Sequence, residues 1–577
     1  MRNNETGPSI KNKNKLGFLL IALCIFLAQS VIGQESTNKW QFRGNMGIYG
    51  DFYSMTSDTV GAIKARRPGS VGRLVVNSTL TYGEFSLPIS LMLSVGQKSA
   101  ILPAIGSQSF IEFIKDPSNR IGIAPKYKWI QVLLGTQVPR YSELSVGDLP
   151  QFGAGINLTP GLFRFSCFVG TTQLAIEEDT TKNIQGIYAR KMYSAKIGYG
   201  KEEASHVYFI TTLMKDDTTS LKTKPINTVP QNGLLSSIDY RIKISKQVYM
   251  KGEVAASAFT RDSRSELIGD ENAIISLPPT IFRLQESSRL NYATVLSIAK
   301  DGKIFGIKLK GKYIGDGFVP LGYPFMQDDV MDLTINPRFN LFKDKLQLSF
   351  SYGKRFNNLS EARSATTTQT LVSADVNLQI TKGLSFTSSF SNFDFRNSIT
   401  SDTLKVQMST FSLGMSPTYT YMGTKNMHVI TVLYSKNIFT DFNTVTGEVN
   451  DNNSQNVLLT YLLANLSTPL NISTTFSYFD NQSFFGMLTT LSANLNFGYK
   501  FFKNKLNTTA GISYTTNKLE SLSASSQIFI NLGLKYNLNK KIKLSAYNSV
   551  NLFKYGSERP GISYQENLLR LSLTYKF

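Results

Sequence analysis

Side chains able to do acid–base, nucleophilic or metal chemistry are scarce in this chain. Histidine occurs twice, as His206 in Ala204-Ser205-His206-Val207-Tyr208 and as His428 in Asn426-Met427-His428-Val429-Ile430. Both lie in alternating, strand-like surroundings. A phospholipase built on a barrel would need a serine–histidine pair on the outer face, and no second element singles out either imidazole. Two cysteines, Cys24 and Cys167, exclude a disulfide framework and any cysteine-built zinc or iron–sulfur site. Gly153-Ala154-Gly155 begins like a dinucleotide fingerprint but lacks the third glycine and the βαβ setting. No catalytic, cofactor or metal-binding residue is therefore expected, and the chain is not expected to be an enzyme.

Charges that could sort solutes are the remaining chemistry. The longest loop candidate, 260–288, holds Arg261, Asp262, Arg264 and Glu266, then Asp270 and Glu271, then Leu277-Pro278-Pro279. Folded inward, Arg261 and Arg264 opposite Asp262 and Glu266 would set a transverse field at a constriction. Projected outward, the same loop would bind something, and disorder is an equal alternative. The 577 residues carry 61 Lys+Arg against 40 Asp+Glu, a net charge of +21. A basic lumen would favour anions, and basic rims would meet lipopolysaccharide phosphates. The plainer reading is solvated turns, which hold ten lysines, among them Lys303, Lys343, Lys345, Lys503 and Lys505. No basic-aromatic motif points to nucleic acid.

The elements that must position these charges follow one period. Leu346, Leu348, Phe350 and Tyr352 alternate with Gln347, Ser349 and Ser351. Ala374, Val376, Leu378 and Ile380 do likewise, as do Leu491 to Tyr499 and Ile528 to Tyr536. Such strands bury one face only. Tight turns recur at 300–303, 343–345, 381–383, 423–425, 467–469, 503–505 and 539–541, with long Asn/Ser/Thr/Asp-rich stretches between them. Short turns at one end and long polar loops at the other predict an all-β fold: a large transmembrane antiparallel β-barrel of about 24–26 strands. A solenoid or propeller also repeats, with shorter strands and a tighter period. Leu102 to Ile114, broken by Pro103 and Gly106, reads as an irregular insertion or small plug at 97–118.

The two ends of the chain agree with that expectation. Arg2, Lys11, Lys13 and Lys15 precede an apolar run from Leu16 to Leu27 and small or apolar residues to Gly33, the pattern of a secretory signal peptide spanning 1–33. Cleavage there removes four positive charges and one negative, taking +21 to +18, and leaves 34–577 as the barrel. At the other end Leu569, Leu571, Leu573, Tyr575 and Phe577 alternate to the last residue. The row Leu571, Leu573, Tyr575, Phe577 resembles the terminal signal read by the outer-membrane barrel-assembly machinery.

A further resemblance rests on Ile123-Ala124-Pro125-Lys126-Tyr127-Lys128-Trp129, Tyr141-Ser142, Phe152-Gly153-Ala154-Gly155 and Pro160-Gly161-Leu162-Phe163-Arg164-Phe165. Glu253-Val254-Ala255-Ala256-Ser257, Thr260-Arg261-Asp262, the Tyr323 to Asn336 stretch and Arg355-Phe356-Asn357-Asn358-Leu359 extend it. These segments resemble a group of porin-like Bacteroidota outer-membrane barrel proteins of undefined activity. The match covers residues 70–400 in scattered pieces, with the last third similar in style only, and Gln231-Asn232-Gly233 departs slightly from it. It implies a cell outer-membrane location and supplies no catalytic residues. Expected partners are membrane lipid, lipopolysaccharide, the assembly machinery and an unidentified envelope protein.

Three functions compete on these grounds. The leading one is passage of small polar solutes through a wide lumen. Its rival is a non-enzymatic structural or interaction component of the envelope, serving secretion, adhesion or assembly around a plugged lumen. A TonB-dependent transporter would need an N-terminal plug and an energy-coupling box, which 34–70 lack, since alternation begins at Trp40 and continues through Phe42, Gly44, Met46 and Ile48.

Overall fold

The computed structural model describes residues 40–58, 63–96, 119–147, 149–225, 227–268, 282–323, 326–520, 522–556 and 561–577. The expected leader 1–33 and insertion 97–118 lie outside the described residues, as does the centre of the long loop, 269–281.

Strand follows strand in chain order. The first nine are β1 (Gln41–Ser57), β2 (Ser70–Tyr82), β3 (Phe85–Gly96), β4 (Arg120–Ile123), β5 (Lys126–Tyr127), β6 (Ile130–Gln137), β7 (Gln151–Leu158), β8 (Phe163–Gln173) and β9 (Ala189–Gly200). Next come β10 (His206–Asp217), β11 (Asn232–Lys243), β12 (Val248–Thr260), β13 (Ser288–Asp301), β14 (Phe305–Ile314), β15 (Val330–Leu341), β16 (Leu346–Asn357), β17 (Thr367–Gln379) and β18 (Leu384–Asn397). The last nine are β19 (Gln407–Met422), β20 (Asn426–Asp441), β21 (Asn452–Asn465), β22 (Leu470–Ser483), β23 (Gly486–Phe501), β24 (Leu506–Leu519), β25 (Ser525–Asn537), β26 (Ile542–Lys554) and β27 (Ser563–Lys576). Among the described residues, helix is limited to Thr180–Lys182 and Gly447–Asn450.

Apart from β4 and β5, every neighbour in sequence is an antiparallel neighbour in the sheet, and β27 returns to β1. β4 and β5 both lie between β3 and β6, because Pro125 has no N–H for the ladder and splits one stave in two. The barrel therefore has 26 staves, within the expected range. Closure gives every strand a hydrogen-bonded neighbour on both edges, which a hydrocarbon surrounding demands.

The seam is completed by the last residue. The Phe577 N–H donates to the Gly44 carbonyl at 3.1 Å, and the Phe577 ring packs on Phe42 at 4.3 Å between centroids. Gly44 has φ +151°, and a Cβ there would lie 2.3 Å from the Asn77 carbonyl oxygen, so the seam's close approach requires glycine.

Alternation sets which face looks out. Phe350 stands beside Ala374, and Ile512 beside Ile530, on an outer surface that is largely apolar. Leu491 is 52% exposed and Ile530 43%, values that suit lipid and not water. At one rim the connections have two to five residues, and all seven predicted tight turns lie there. At the other rim most are long, up to 27 residues in the β12–β13 connection.

Candidate functional site: a lumen crossed by two inward segments

Two long-rim connections fold into the lumen. The first, 138–150, joins β6 to β7. The second, 315–329, joins β14 to β15. Leu144 is wholly buried against Leu235, Ala255, Ala293 and Val295, which alternate on the inner wall of β11, β12 and β13. Ile314, Phe318 and Val330 complete that cluster. A second cluster joins Val146 and Leu321 to Met192 and Met214 on β9 and β10. Thus 138–150 starts at β6 and lands on strands three to seven places round the wall.

Polar groups fix the same path. Glu253 of β12 accepts from the Ser142 hydroxyl at 2.6 Å and from the Leu144 N–H at 3.0 Å. Its carboxylate thus satisfies a buried backbone donor that has left its own sheet. Glu143 reaches Lys310 of β14 at 2.7 Å and Lys312 at 3.7 Å. Burial pushes the Glu143 carboxyl up, but Lys310, Lys312 and Lys251 outweigh it and hold the group below the usual carboxylate range. The two segments also interlock, since a Cβ on Gly147 would strike the Tyr323 ring hydroxyl. Tyr141-Ser142 and Tyr323, singled out above by resemblance, belong to this interlock.

The packing is one-sided. No apolar residue beyond Val330 is buried among the described residues. From β16 onward the inner wall presents groups such as Ser349, Asp375, Asn377 and Ser389 to open space. Lys308, Lys310 and Lys312 alternate along the inner face of β14, at the edge between the packed and bare halves.

A recess of about 540 Å³ lies between segment 138–141 and the inner wall from β5 to β9. Cross-strand neighbours Gln131, Asn157, Ser166 and Lys196 form one row of its wall. Lys196 is buried, pairs with Glu202 at 3.0 Å and lies 4.8 Å from the Tyr208 ring centroid. Burial pushes the Glu202 carboxyl up, and Lys196 more than reverses this, leaving it below its ordinary value.

The two histidines fall on opposite faces. His206 lies inward, with Nε2 3.0 Å from Asp239 and Nδ1 3.1 Å from the Lys201 carbonyl. Both ring nitrogens thus face oxygen atoms of the wall and its turn. His428 sits outward between Tyr421 and Tyr461, bonded to the Tyr461 hydroxyl at 2.8 Å. Among the described residues neither ring bonds a serine hydroxyl.

The residues expected at a loop constriction are at the long rim. Arg264 binds Asp262, two residues away, at 2.9 Å, and this contact holds the Asp262 carboxyl below its usual range. Glu266 accepts the Glu286 N–H through its backbone carbonyl, and Leu267 bridges Gln285, so 261–268 and 282–288 form a hairpin. Arg261 is exposed and donates its backbone N–H to Ser287. Arg264 and Asp262 come together; Glu266 and Arg261 do not pair with them. Leu571 and Leu573 face outward on β27, and Tyr575 stacks edge-on with Phe577.

No family model matches the chain, and no curated protein does. Solved structures similar to it include the Acinetobacter baumannii protein OccAB4, at 13% identity over 64% of this chain and 97% of that chain, TM-score 0.29. Pseudomonas aeruginosa OpdK with vanillate shows 10% identity over 60% and 93%, TM-score 0.31. The translocation pore of the P pilus usher PapC shows 9% identity over 93% and 100%, TM-score 0.35.

Proposed function

We propose that this chain is a non-enzymatic outer-membrane channel passing small polar solutes through a lumen narrowed on one side. The observation that carries the reading is the one-sided filling: the inner wall beyond Val330 is mostly polar and unpacked, while the outer wall is mostly apolar. A barrel of this strand number is too wide for side chains alone to fill. The apolar outer face favours a bilayer, and the envelope partners expected above belong to that setting: lipid, lipopolysaccharide and the assembly machinery. The test is single-channel conductance of the refolded protein in a planar bilayer under a salt gradient. Stable steps are expected, and a silent bilayer from a barrel shown folded by heat-modifiable migration would overturn the channel.

A second reading is a structural or interaction component with a closed lumen and an envelope protein partner. It is favoured by the interlocked segments over β9 to β15, which resemble a partial plug. The silent bilayer would move that reading to the front.

A further inference from the structure

The recess beneath segment 138–141 has a composition unlike the rest of the lumen. Among the described residues, four cations, Lys126, Arg164, Lys196 and Lys201, face a single acid, Glu202, and Arg140, which has a partner of its own, completes the charged lining. Glu202 is already bonded to Lys196. Arg164 spends one guanidinium nitrogen on the carbonyls of Gly161 and Phe163. Lys126 and Lys201 pair with no carboxylate among the described residues. The recess therefore concentrates positive charge that the protein itself leaves unbalanced, in a concave site where water is partly excluded.

The rest of its lining is half apolar and half neutral polar. Trp129, Leu133, Val138, Pro139 and Tyr141 supply an apolar and aromatic floor, and Gln131, Gln137, Asn157, Thr159 and Ser166 supply amides and hydroxyls beside it. Asn157 donates to Gln131 at 3.2 Å, so those two amides hold one another and leave the floor exposed. A bare inorganic anion would use the cations and waste the floor. A neutral aromatic would do the reverse. The volume falls within the range of small-molecule sites.

We infer that this recess binds a small organic anion with an apolar, ring-sized body, its charge on Lys126, Lys201 and Arg164 and its body against Trp129 and Tyr141. The site lies toward the short-turn rim, where Lys126, Trp129 and Lys201 sit at strand ends or turns. A solute entering from the long-loop side meets it after passing the two inward segments. The inference gives the channel reading its solute class, and it rests on that reading only for transport. Binding itself needs no open lumen.

The two tryptophans are Trp40 and Trp129, so Trp40→Phe leaves one reporter, inside the recess. The experiment titrates this variant, folded in detergent micelles, with benzoate, benzamide and inorganic phosphate while following tryptophan fluorescence. Benzoate should give a saturable change, with benzamide and phosphate at least roughly tenfold weaker. Adding Lys126→Gln and Lys201→Gln should weaken benzoate by about tenfold, as expected for two charges in a partly hydrated site. Both lysines are exposed, and heat-modifiable migration reports whether the variant is folded.

Phosphate binding as tightly as benzoate would overturn the organic character. Equal binding by benzamide would overturn the anionic character, and an unaltered titration in the double lysine variant would overturn the placement. If that variant fails to fold, Lys126→Gln alone carries the same comparison. Saturable binding with a silent bilayer would retain the site and sink only the channel, whereas conductance without binding would do the opposite.

Discussion

Replacing Leu144 by alanine should release segment 138–150 from the wall. Leu144 is wholly buried, and its partners Leu235, Ala255, Ala293 and Val295 belong to strands on the far side of the segment's own anchor. Every contact the side chain makes is lost when the segment lifts, so the whole cost of truncation enters the docking equilibrium. Leucine-to-alanine changes at such sites cost about 2–5 kcal/mol. At about 1.4 kcal/mol per factor of ten, the undocked-to-docked ratio rises by about 30- to 4,000-fold. Leu144 lies outside the strand ladders that close the barrel, so the barrel itself stays folded. The assay is single-channel recording at fixed voltage, reading the fraction of time spent in a larger conductance level. Leu144→Ala should occupy that level far more often than the unmodified protein, and an outer-face control, Ile530→Ala, should not. Dwell times indistinguishable from the unmodified protein, in a barrel with normal heat-modifiable migration, would refute the claim that this segment narrows the lumen.

Faces can be tested on one strand: Ile530→Arg should cost about 2–4 kcal/mol near the membrane midplane, while Asn531→Arg on the inner face costs little, both read by guanidinium unfolding in vesicles. Glu143 gives a pH signature. Its carboxyl is held below the ordinary value, so its contribution to docking is full above that value and is lost only as pH falls through the depressed one. The larger conductance level should therefore stay rare from about pH 8 to about pH 5 and grow at lower pH, and Glu143→Gln should remove that acid limb. Neutralising Lys308, Lys310 and Lys312 should shift the reversal potential toward cations more than neutralising Arg261, Asp262, Arg264 and Glu266, because Arg264 and Asp262 already cancel side by side. Phe577→Ala should lower the yield of assembled barrel in cells more than refolding in detergent, as measured by heat-modifiable migration, since it touches both the seam and the terminal row.

What the sequence could disclose was whatever repeats locally. Period-two rows such as Leu346 to Tyr352 define a face wherever they occur, because a pleated strand leaves no choice of side. Turns such as Phe342-Lys343-Asp344-Lys345 are equally local: three consecutive residues, Phe342, Lys343 and Asp344, adopt positive φ between strands in the described hairpin. The segments that enter the lumen were not legible in the same way. Leu144, Val146, Phe318 and Leu321 are apolar residues in irregular stretches without a period, and only the distant strands that receive them make them a core. The signal available was an apolar, aromatic-containing run inside a long-rim connection. That run also exists at 102–114, so composition alone does not say which one folds inward. The recess was hidden for a related reason, since Lys126, Arg164 and Lys201 come from three separate hairpins and converge only through register.

The one-sided filling of the lumen has a consequence for how such a chain can change over time. From β6 to β15 a residue on the inner wall answers to a second layer of structure. A change at Ala255 or Ala293, for instance, must fit Leu144 as well as its strand neighbours. From β16 to β27 the inner wall faces open space, and a substitution there must satisfy only hydrogen-bonded neighbours and solvent. Drift should accordingly run faster on the inner positions of the second half, while its outer positions remain restricted to whatever lipid tolerates. Related chains would then keep recognisable words in the first half and only a rhythm in the second.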